Sequence, residues 1–142
     1  MEIIKVHFDG ACEPFNPGGR MGFGVHISGH TVGVIHTHGE QTDFDSQNSN
    51  NVAEYRALNI ALDWLIENGY SRNPIQVFGD SMLVIKQMNG DWRAKGGRYY
   101  SEYLRAQELR DQFQVITFTW VPREKNQIAD DLSKGDLTVK LS

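Results

Sequence analysis

The chain changes its pattern near residue 42, and this change constrains the fold more than any other feature. Before it, three segments alternate apolar and polar residues between short turns, which predicts an antiparallel meander. After it, short apolar strands alternate with segments of helical periodicity, which implies parallel crossover connections. The predicted strands are 3–9, 21–28, 31–41, 75–79 and 115–121, and the predicted helices are 51–68, 82–89, 99–112 and 126–134. We therefore expect an α/β fold with a five-stranded mixed sheet, in which three antiparallel strands precede two parallel strands and helices cover both faces.

Length and composition fit one ordinary globular domain. The chain has 142 residues, of which 39% are hydrophobic and 23% are charged, and this is enough to bury a core. We expect the domain to cover residues 1–134, followed by a tail at 135–142. No apolar run approaches the roughly 20 residues of a membrane span, and no signal segment is visible, so we expect no membrane partner. The lone Cys12 cannot form an internal disulfide, which favours the cytoplasm, and we expect a monomer.

Four carboxylates occupy positions that soluble proteins usually avoid. Asp9 and Asp80 stand at the ends of apolar strands, and Asp130 lies in the last short helix. Glu54 lies one turn before Leu58, on the apolar stripe of the first helix. Acidic residues are rarely buried unless something pairs them. Since strand ends in an α/β sheet converge on one edge, where ligands bind, we expect the four carboxylates to meet there.

A cluster of this kind requires a cation, because like charges at close range cannot all stay ionised. Oxygen-only ligation favours Mg²⁺ or Mn²⁺ over zinc. We assign the strand histidines His26, His36 and His38 to exposed positions rather than to a metal site. Two hard ions about 3.5–4 Å apart would suit phosphoryl chemistry, in which they activate water and stabilise the leaving oxygen. For Glu54 an alternative stays open, a solvated acid near a helix amino terminus that the helix dipole stabilises.

The charge balance leaves a nucleic-acid partner open. A net charge of −4 argues against such a partner, yet the four carboxylates account for the whole excess of 18 acidic residues over 14 Lys and Arg. Basic residues also gather at Arg93, Lys95 and Arg98, next to Trp92. This segment is either a solvated loop or a nucleic-acid contact.

Four short motifs occur in a fixed order along the chain. They are Asp9-Gly10, Asn51-x-x-Glu54, Asp80-Ser81 and Asn126-x-x-Ala129-Asp130. Their order and setting resemble the type 1 ribonuclease H family, over residues 3–133. Asn16-Pro17-Gly18 and the stretch 121–126 match as well, and the latter is closer to the archaeal and plant-type branch. The resemblance implies a ribonuclease H-like fold and identifies 1–134 as a ribonuclease H domain.

The resemblance also implies an activity. Members of the family hydrolyse the RNA strand of RNA–DNA hybrids, leaving 5′-phosphate and 3′-hydroxyl ends, with two Mg²⁺ or Mn²⁺ ions when substrate is bound. The bridging position between both ions falls to Asp9, and Asp130 would help to hold the ion that activates water. Glu54 and Asp80 would hold the ion that faces the leaving group.

Substrate contacts are implied by position as well, with shape and 2′-hydroxyls read in place of base sequence. The minor-groove contacts to the RNA strand or its neighbours fall to Cys12, Asn16, Asn50 and Asn51. Ser49 resembles a contact to a DNA phosphate, and Trp92 matches an aromatic residue that packs on a DNA sugar.

Two residues depart from the pattern of many bacterial members. Those members carry a histidine in the loop before the last Asp, whereas none of the five His here lies beyond His38. Arg123 occupies that loop, so the resemblance implies a cationic role in place of a general base. Met82 stands where many relatives have a polar contact to nucleic acid.

Other functions stay open at this point. The chain could be a non-catalytic hybrid-binding module or a reverse-transcriptase-associated domain, or it could cleave duplex RNA or single ribonucleotides. The complete set of four carboxylates favours catalysis, because binding alone would use basic groups. The start at Met1 and the compact length lead us to expect a complete protein.

Overall fold

The computed structural model describes residues 1–135, so most of the predicted tail, 136–142, lies outside the described residues. The elements are β1 (Ile4–Glu13), β2 (Arg20–Gly29), β3 (Gly33–Gln41), α1 (Asn50–Glu67), β4 (Ile75–Gly79), α2 (Met82–Met88), α3 (Tyr100–Arg110), β5 (Ile116–Trp120) and α4 (Gln127–Ser133). A 3₁₀ turn at Arg123–Lys125 precedes α4. Among these helices, none combines the length and the apolar character that crossing a membrane requires.

The predicted mixed sheet is confirmed. Its strand order is β3-β2-β1-β4-β5, with β1–β2 and β2–β3 antiparallel and with β1–β4 and β4–β5 parallel. β1 is longer than predicted, because its pairing with β2 continues to Glu13 opposite Arg20. Its parallel pairing with β4 stops at Phe8 opposite Gly79. Asp9 therefore lies within β1, one residue past the end of the parallel ladder.

Helix α1 packs on one face of the sheet and contributes a large share of the core. Its stripe of Leu58, Leu62 and Leu65 is fully buried, as are Val6 and Phe8 on the facing strand. The approach is closest at Gly10, where an added Cβ would lie 2.2 Å from the backbone carbon of Ala53. Only glycine allows this contact, and it brings the first turns of α1 directly onto β1.

Helix α4 packs on the opposite face, again through glycine. A Cβ at Gly24 would lie 2.1 Å from the backbone oxygen of Ala129 in α4. Just before the helix, the buried Asn126 side-chain amide donates a 2.9 Å hydrogen bond to the backbone oxygen of Phe8. The close approach at Gly24 holds α4 against β2, and the bond to Phe8 holds it against β1, which carries Asp9.

The strand histidines are not exposed, and our expectation for them was wrong. His7, His26 and His36 face one another in register across β1, β2 and β3, and all three are half-buried. One ring nitrogen of His36 lies 2.8 Å from one of His26. His38 bonds through Nδ1 to the backbone oxygen of Leu132 in α4. Partial burial follows because α4 contacts these strands, which the alternation within each strand cannot reveal.

We predict that Gly24→Ala destabilises the protein by about 1–3 kcal/mol, because the added methyl group would overlap the backbone of α4. Thermal or urea unfolding monitored by circular dichroism measures the loss. Gly39→Ala on β3 is the matched control, since its Cβ would meet only side-chain atoms, the nearest at 3.2 Å. Equal losses in the two variants would contradict the backbone overlap.

Candidate metal centre

Three of the four carboxylates form a compact cluster. Asp9, Glu54 and Asp80 each offer one oxygen within 4.8 Å of the others. Asp9 lies just past the β1–β4 ladder, Asp80 follows β4, and Glu54 reaches the same edge from α1. The N-cap bond from the Val84 amide to Ser81 Oγ begins α2 directly after Asp80 and sets the direction of the chain there.

Glu54 is buried rather than solvated. Only 6% of its surface is exposed, and it lies beyond the first turn of α1, where the stabilising effect of the helix dipole fades. The solvated alternative for Glu54 is therefore wrong. One carboxylate oxygen accepts a 2.8 Å hydrogen bond from the Gly10 amide. The other, Oε2, is buried and has no hydrogen-bond partner among the described residues, so it is free to bind a cation.

Asp130 lies beside the cluster, on α4. It falls outside the three-carboxylate group but lines the same groove of about 350 Å³. The Ser133 hydroxyl lies 3.1 Å from Asp9 Oδ2 and 2.7 Å from the backbone oxygen of Asp130, so it links the two residues. Lys134 Nζ lies 3.4 Å from Asp130 Oδ2 and partly balances its charge.

Burial makes Asp9 and Glu54 retain protons. It raises the pKa of Asp9 to about 7, and the negative charges of Asp80 and Asp130 add to this effect. Burial also raises the pKa of Glu54 well above its ordinary value, and the neighbouring Asp9 raises it further. The charged state therefore needs a cation. Oxygen-only donors, one of them unpartnered and buried, suit a hard divalent ion, so Asp9, Glu54 and Asp80 could hold one.

Arg123 lies at the rim of the same groove. Its side chain is 72% exposed, and Nε lies 3.9 Å from Asp80 Oδ2. The backbone oxygen of Asp80 accepts a 3.1 Å hydrogen bond from Trp120 Nε1. Arg123 thus places an exposed positive charge next to the carboxylates, where it can reach an anionic ligand.

Three of the four residues with implied RNA contacts, Cys12, Asn16 and Asn50, form one hydrogen-bonded unit. The Cys12 amide donates to Asn50 Oδ1 at 2.8 Å, and the Asn50 amide donates to Asn16 Oδ1 at 2.9 Å. Cys12 is 5% exposed, whereas Asn16, Asn50 and Asn51 are exposed. Cys12, Asn50 and Asn51 line the carboxylate groove. Ser49, at the start of α1, accepts a 3.1 Å hydrogen bond from the Val52 amide as the N-cap.

Trp92 lies outside the carboxylate groove, on a second groove of about 620 Å³. It is 47% exposed, and its loop is anchored by the buried side chain of Gln87. Gln87 Nε2 donates to the Tyr99 hydroxyl at 3.0 Å and to the backbone oxygen of Arg93 at 3.4 Å. Gln87 Oε1 accepts a 2.6 Å hydrogen bond from the hydroxyl of Tyr55, the residue after Glu54. A polar network thus connects the basic loop to the helix that carries Glu54.

Three residues of the site escaped the sequence analysis. Lys134 had a usable signal, because it lies four residues after Asp130 on the same helical face. Ser133 and Gln87 had none, since their partners Asp9 and Tyr55 are distant in the sequence.

Comparison with known proteins places the chain among ribonucleases H. A family profile described as reverse transcriptase-like matches residues 7–135. A bifunctional protein of Mycobacterium tuberculosis is 41% identical over 85 residues, which are 60% of this chain and 23% of that protein. The ribonuclease HI of Halobacterium salinarum is 35% identical over 134 residues, which are 94% of this chain and 64% of that protein. The chain thus spans less than two thirds of either relative.

Solved structures agree with this grouping. The N-terminal ribonuclease H domain of the Mycobacterium tuberculosis protein superposes with a TM-score of 0.81 and 30% identity, covering 96% of this chain and 94% of that one. Ribonuclease H1 of Halobacterium salinarum superposes with a TM-score of 0.77 and 31% identity, covering 95% of this chain and 97% of that one. The LC11 ribonuclease H1, solved in complex with an RNA/DNA hybrid, superposes with a TM-score of 0.78 and 27% identity, covering 95% of each chain.

We predict that Asp9 makes the metal-free protein lose stability as the pH rises from about 4 to about 7. The folded protein holds the Asp9 proton up to a pKa of about 7, whereas the unfolded chain releases it near the ordinary value of 3.8. At Asp9 the folded state therefore binds more protons in this window than the unfolded chain does, so the contribution of Asp9 to the free energy of unfolding falls as the pH rises. Thermal unfolding at a series of pH values in chelator measures the slope.

The matched variant is Asp9→Asn, which removes the titrating group and should flatten this dependence. Added Mg²⁺ should raise the unfolding midpoint of the unaltered protein at pH 8 more than that of the variant. The same pH slope in both proteins would refute the assignment.

Proposed function

Because this chain belongs to the reverse transcriptase-like family, among the type 1 ribonucleases H, we propose that it is a metal-dependent endoribonuclease that hydrolyses the RNA strand of RNA–DNA hybrids. Its products would carry 5′-phosphate and 3′-hydroxyl ends. The observation that carries the proposal is the convergence of Asp9, Glu54 and Asp80 at one sheet edge, with Asp130 beside them. We further infer that the protein acts as a monomer in the cytoplasm.

The other three carboxylates would serve two ion positions, one on each side of Asp9. Two Mg²⁺ or Mn²⁺ ions would supply an activated water and stabilise the leaving oxygen. Asp9 has neighbours on both sides, Glu54 and Asp80 within the cluster and Asp130 across the Ser133 hydroxyl. This arrangement supports a bridging role for Asp9. Asp130 would serve the side of the attacking water, and Glu54 and Asp80 would serve the leaving group.

Arg123 and Lys134 would contribute positive charge near the scissile phosphate. Arg123 lies next to Asp80, and Lys134 lies next to Asp130, so each of these two carboxylates has one cation beside it. Neither is buried, so each can turn from its carboxylate toward a bound phosphate. An arginine stays charged at every pH of interest, so Arg123 would stabilise charge rather than accept a proton.

Recognition of the hybrid would use its shape. The exposed amides of Asn16, Asn50 and Asn51, with Cys12 beneath them, would contact the minor groove on the RNA side. Ser49 would contact a DNA phosphate, and Trp92 on the second groove would pack on a DNA sugar. A purely binding module would not need four carboxylates, which repel phosphates when no cation is bound.

Asp80→Asn should reduce cleavage of an RNA–DNA hybrid by roughly 10³-fold or more, because the cluster loses one metal-holding charge. Cleavage of a labelled hybrid with Mg²⁺ or Mn²⁺, alongside duplex RNA and duplex DNA, provides the test. Asp63→Asn is the control, since Asp63 pairs with Arg105 on the surface away from the groove. A fully active Asp80→Asn protein would refute the site, and an unaltered protein that leaves the RNA of the hybrid intact would refute the function.

Arg123→Ala should lower turnover by about ten- to a hundredfold and leave measurable cleavage, because one charge-assisted contact is lost. Steady-state kinetics across pH separate its effect on kcat from that on KM. Lys125→Ala changes an exposed cation in the same 3₁₀ turn and should have little effect. Rates that match those of the unaltered protein at every pH and substrate concentration would show that Arg123 is a bystander.

A further inference from the structure

Two exposed phenylalanine rings contact each other on the surface of the protein. Phe15, between β1 and β2, is 60% exposed, and Phe44, between β3 and α1, is 54% exposed. Their ring centroids lie 6.1 Å apart with the planes at 86°, an edge-to-face contact. Two apolar rings that are exposed side by side form a small apolar patch that a ligand could cover. We call Phe15 and Phe44 the aromatic pair.

The loops that carry the aromatic pair are held by hydrogen bonds. The Phe15 backbone oxygen accepts from the Gly19 amide at 2.9 Å and from the Cys12 thiol at 3.1 Å. The buried Asn48 side-chain amide donates to the backbone oxygens of Gly19 and Asp43, at 2.8 and 3.0 Å, and so joins the two loops. The rings are therefore presented by an ordered backbone, which lowers the entropy lost when a ligand binds.

The aromatic pair continues the surface that carries the implied RNA contacts. Phe15 directly precedes Asn16, whose side-chain oxygen accepts from the Asn50 amide at 2.9 Å. Cys12 and Asn50 both line the carboxylate groove. The aromatic pair is therefore joined, through Asn16 and Asn50, to the rim of the groove that a hybrid would occupy.

The charges near the aromatic pair indicate which part of a hybrid would fit against it. Exposed carboxylates at Glu13, Asp43 and Asp45 lie within two residues of the aromatic pair along the chain and would repel a phosphate. Ribose and base edges carry no such charge and offer apolar surface. A-form duplexes expose them in a wide, shallow minor groove, and phenylalanine is among the residues that nucleic-acid-binding proteins place in minor grooves.

We propose that the aromatic pair is a binding contact for the minor groove of an RNA–DNA hybrid, against ribose and base edges. This inference rests on the proposed function. The aromatic pair strengthens hybrid binding without taking part in the chemistry. It supplies affinity that does not depend on salt, in a chain whose net charge of −4 gives little general attraction to nucleic acid.

The test measures the dissociation constant of a fluorescent RNA–DNA hybrid by anisotropy, in the Asp80→Asn background with Mg²⁺, over a series of salt concentrations. Adding Phe15→Ala should weaken binding by about tenfold, as for loss of one aromatic contact to a nucleotide, with an unchanged salt slope. In the active protein, Phe15→Ala should raise KM and leave kcat nearly unchanged.

Matched variants separate this contact from a general effect. Phe15→Leu keeps an apolar side chain and should retain most of the affinity. Val34→Ala removes an apolar residue of similar exposure, 47%, at the far end of β3 and should change nothing. Phe15→Ala could weaken binding by destabilising its own loop, which would lower the unfolding midpoint. In that case the dissociation constant of Phe44→Ala tests the contact, because Phe44 lies on the other loop.

An unchanged dissociation constant in both Phe15→Ala and Phe44→Ala would overturn the inference, as would a loss that appears only as a changed salt slope. Sedimentation of the unaltered protein is run in parallel. Self-association that Phe15→Ala abolishes, with hybrid affinity unchanged, would assign the aromatic pair to a second copy and also overturn it. Failure of the proposed function gives a different result, an unaltered protein that binds the hybrid without cleaving it.

Discussion

The candidate site depends on how closely two helices approach the sheet from its opposite faces. An added Cβ at Gly10 would lie 2.2 Å from the backbone of α1, and one at Gly24 would lie 2.1 Å from that of α4. This proximity lets the Gly10 amide reach Glu54 and lets the Ser133 hydroxyl reach Asp9. A side chain at either glycine would displace a helix that carries one of the carboxylates.

The same proximity concentrates negative charge in a place that water barely reaches. Burial raises the pKa of both Asp9 and Glu54, so the metal-free fold is less stable than one with neutral residues there. Lys134 and Arg123 relieve this only partly, because both are exposed and ion pairs in water are weak. Stability comes instead from the apolar contact of α1 with the sheet, which leaves the sheet edge available for binding a cation.

The predictions from the sequence agree with the structure where a feature depends on residues close together in the chain, and they fail where it depends on distant residues. The order of strands and helices along the chain and the position of Glu54 on the apolar stripe of the first helix were predictable, because each depends on neighbours within about one helical turn. The end of β1 was not, since β2 and β4 pair with it over different lengths. The strand histidines were misplaced because burial on that face comes from α4, about a hundred residues later.

The amino-acid sequence by itself determined the mixed sheet and the identity of the four carboxylates, because periodicity and short motifs are local properties of the chain. Only the tertiary structure decided that Asp9, Glu54 and Asp80 form the compact cluster while Asp130 lies beside it. It also decided that Phe15 and Phe44 meet at the rim of the same surface. Such distances depend on helix packing and loop hydrogen bonds between residues far apart in the chain, and no local pattern encodes them.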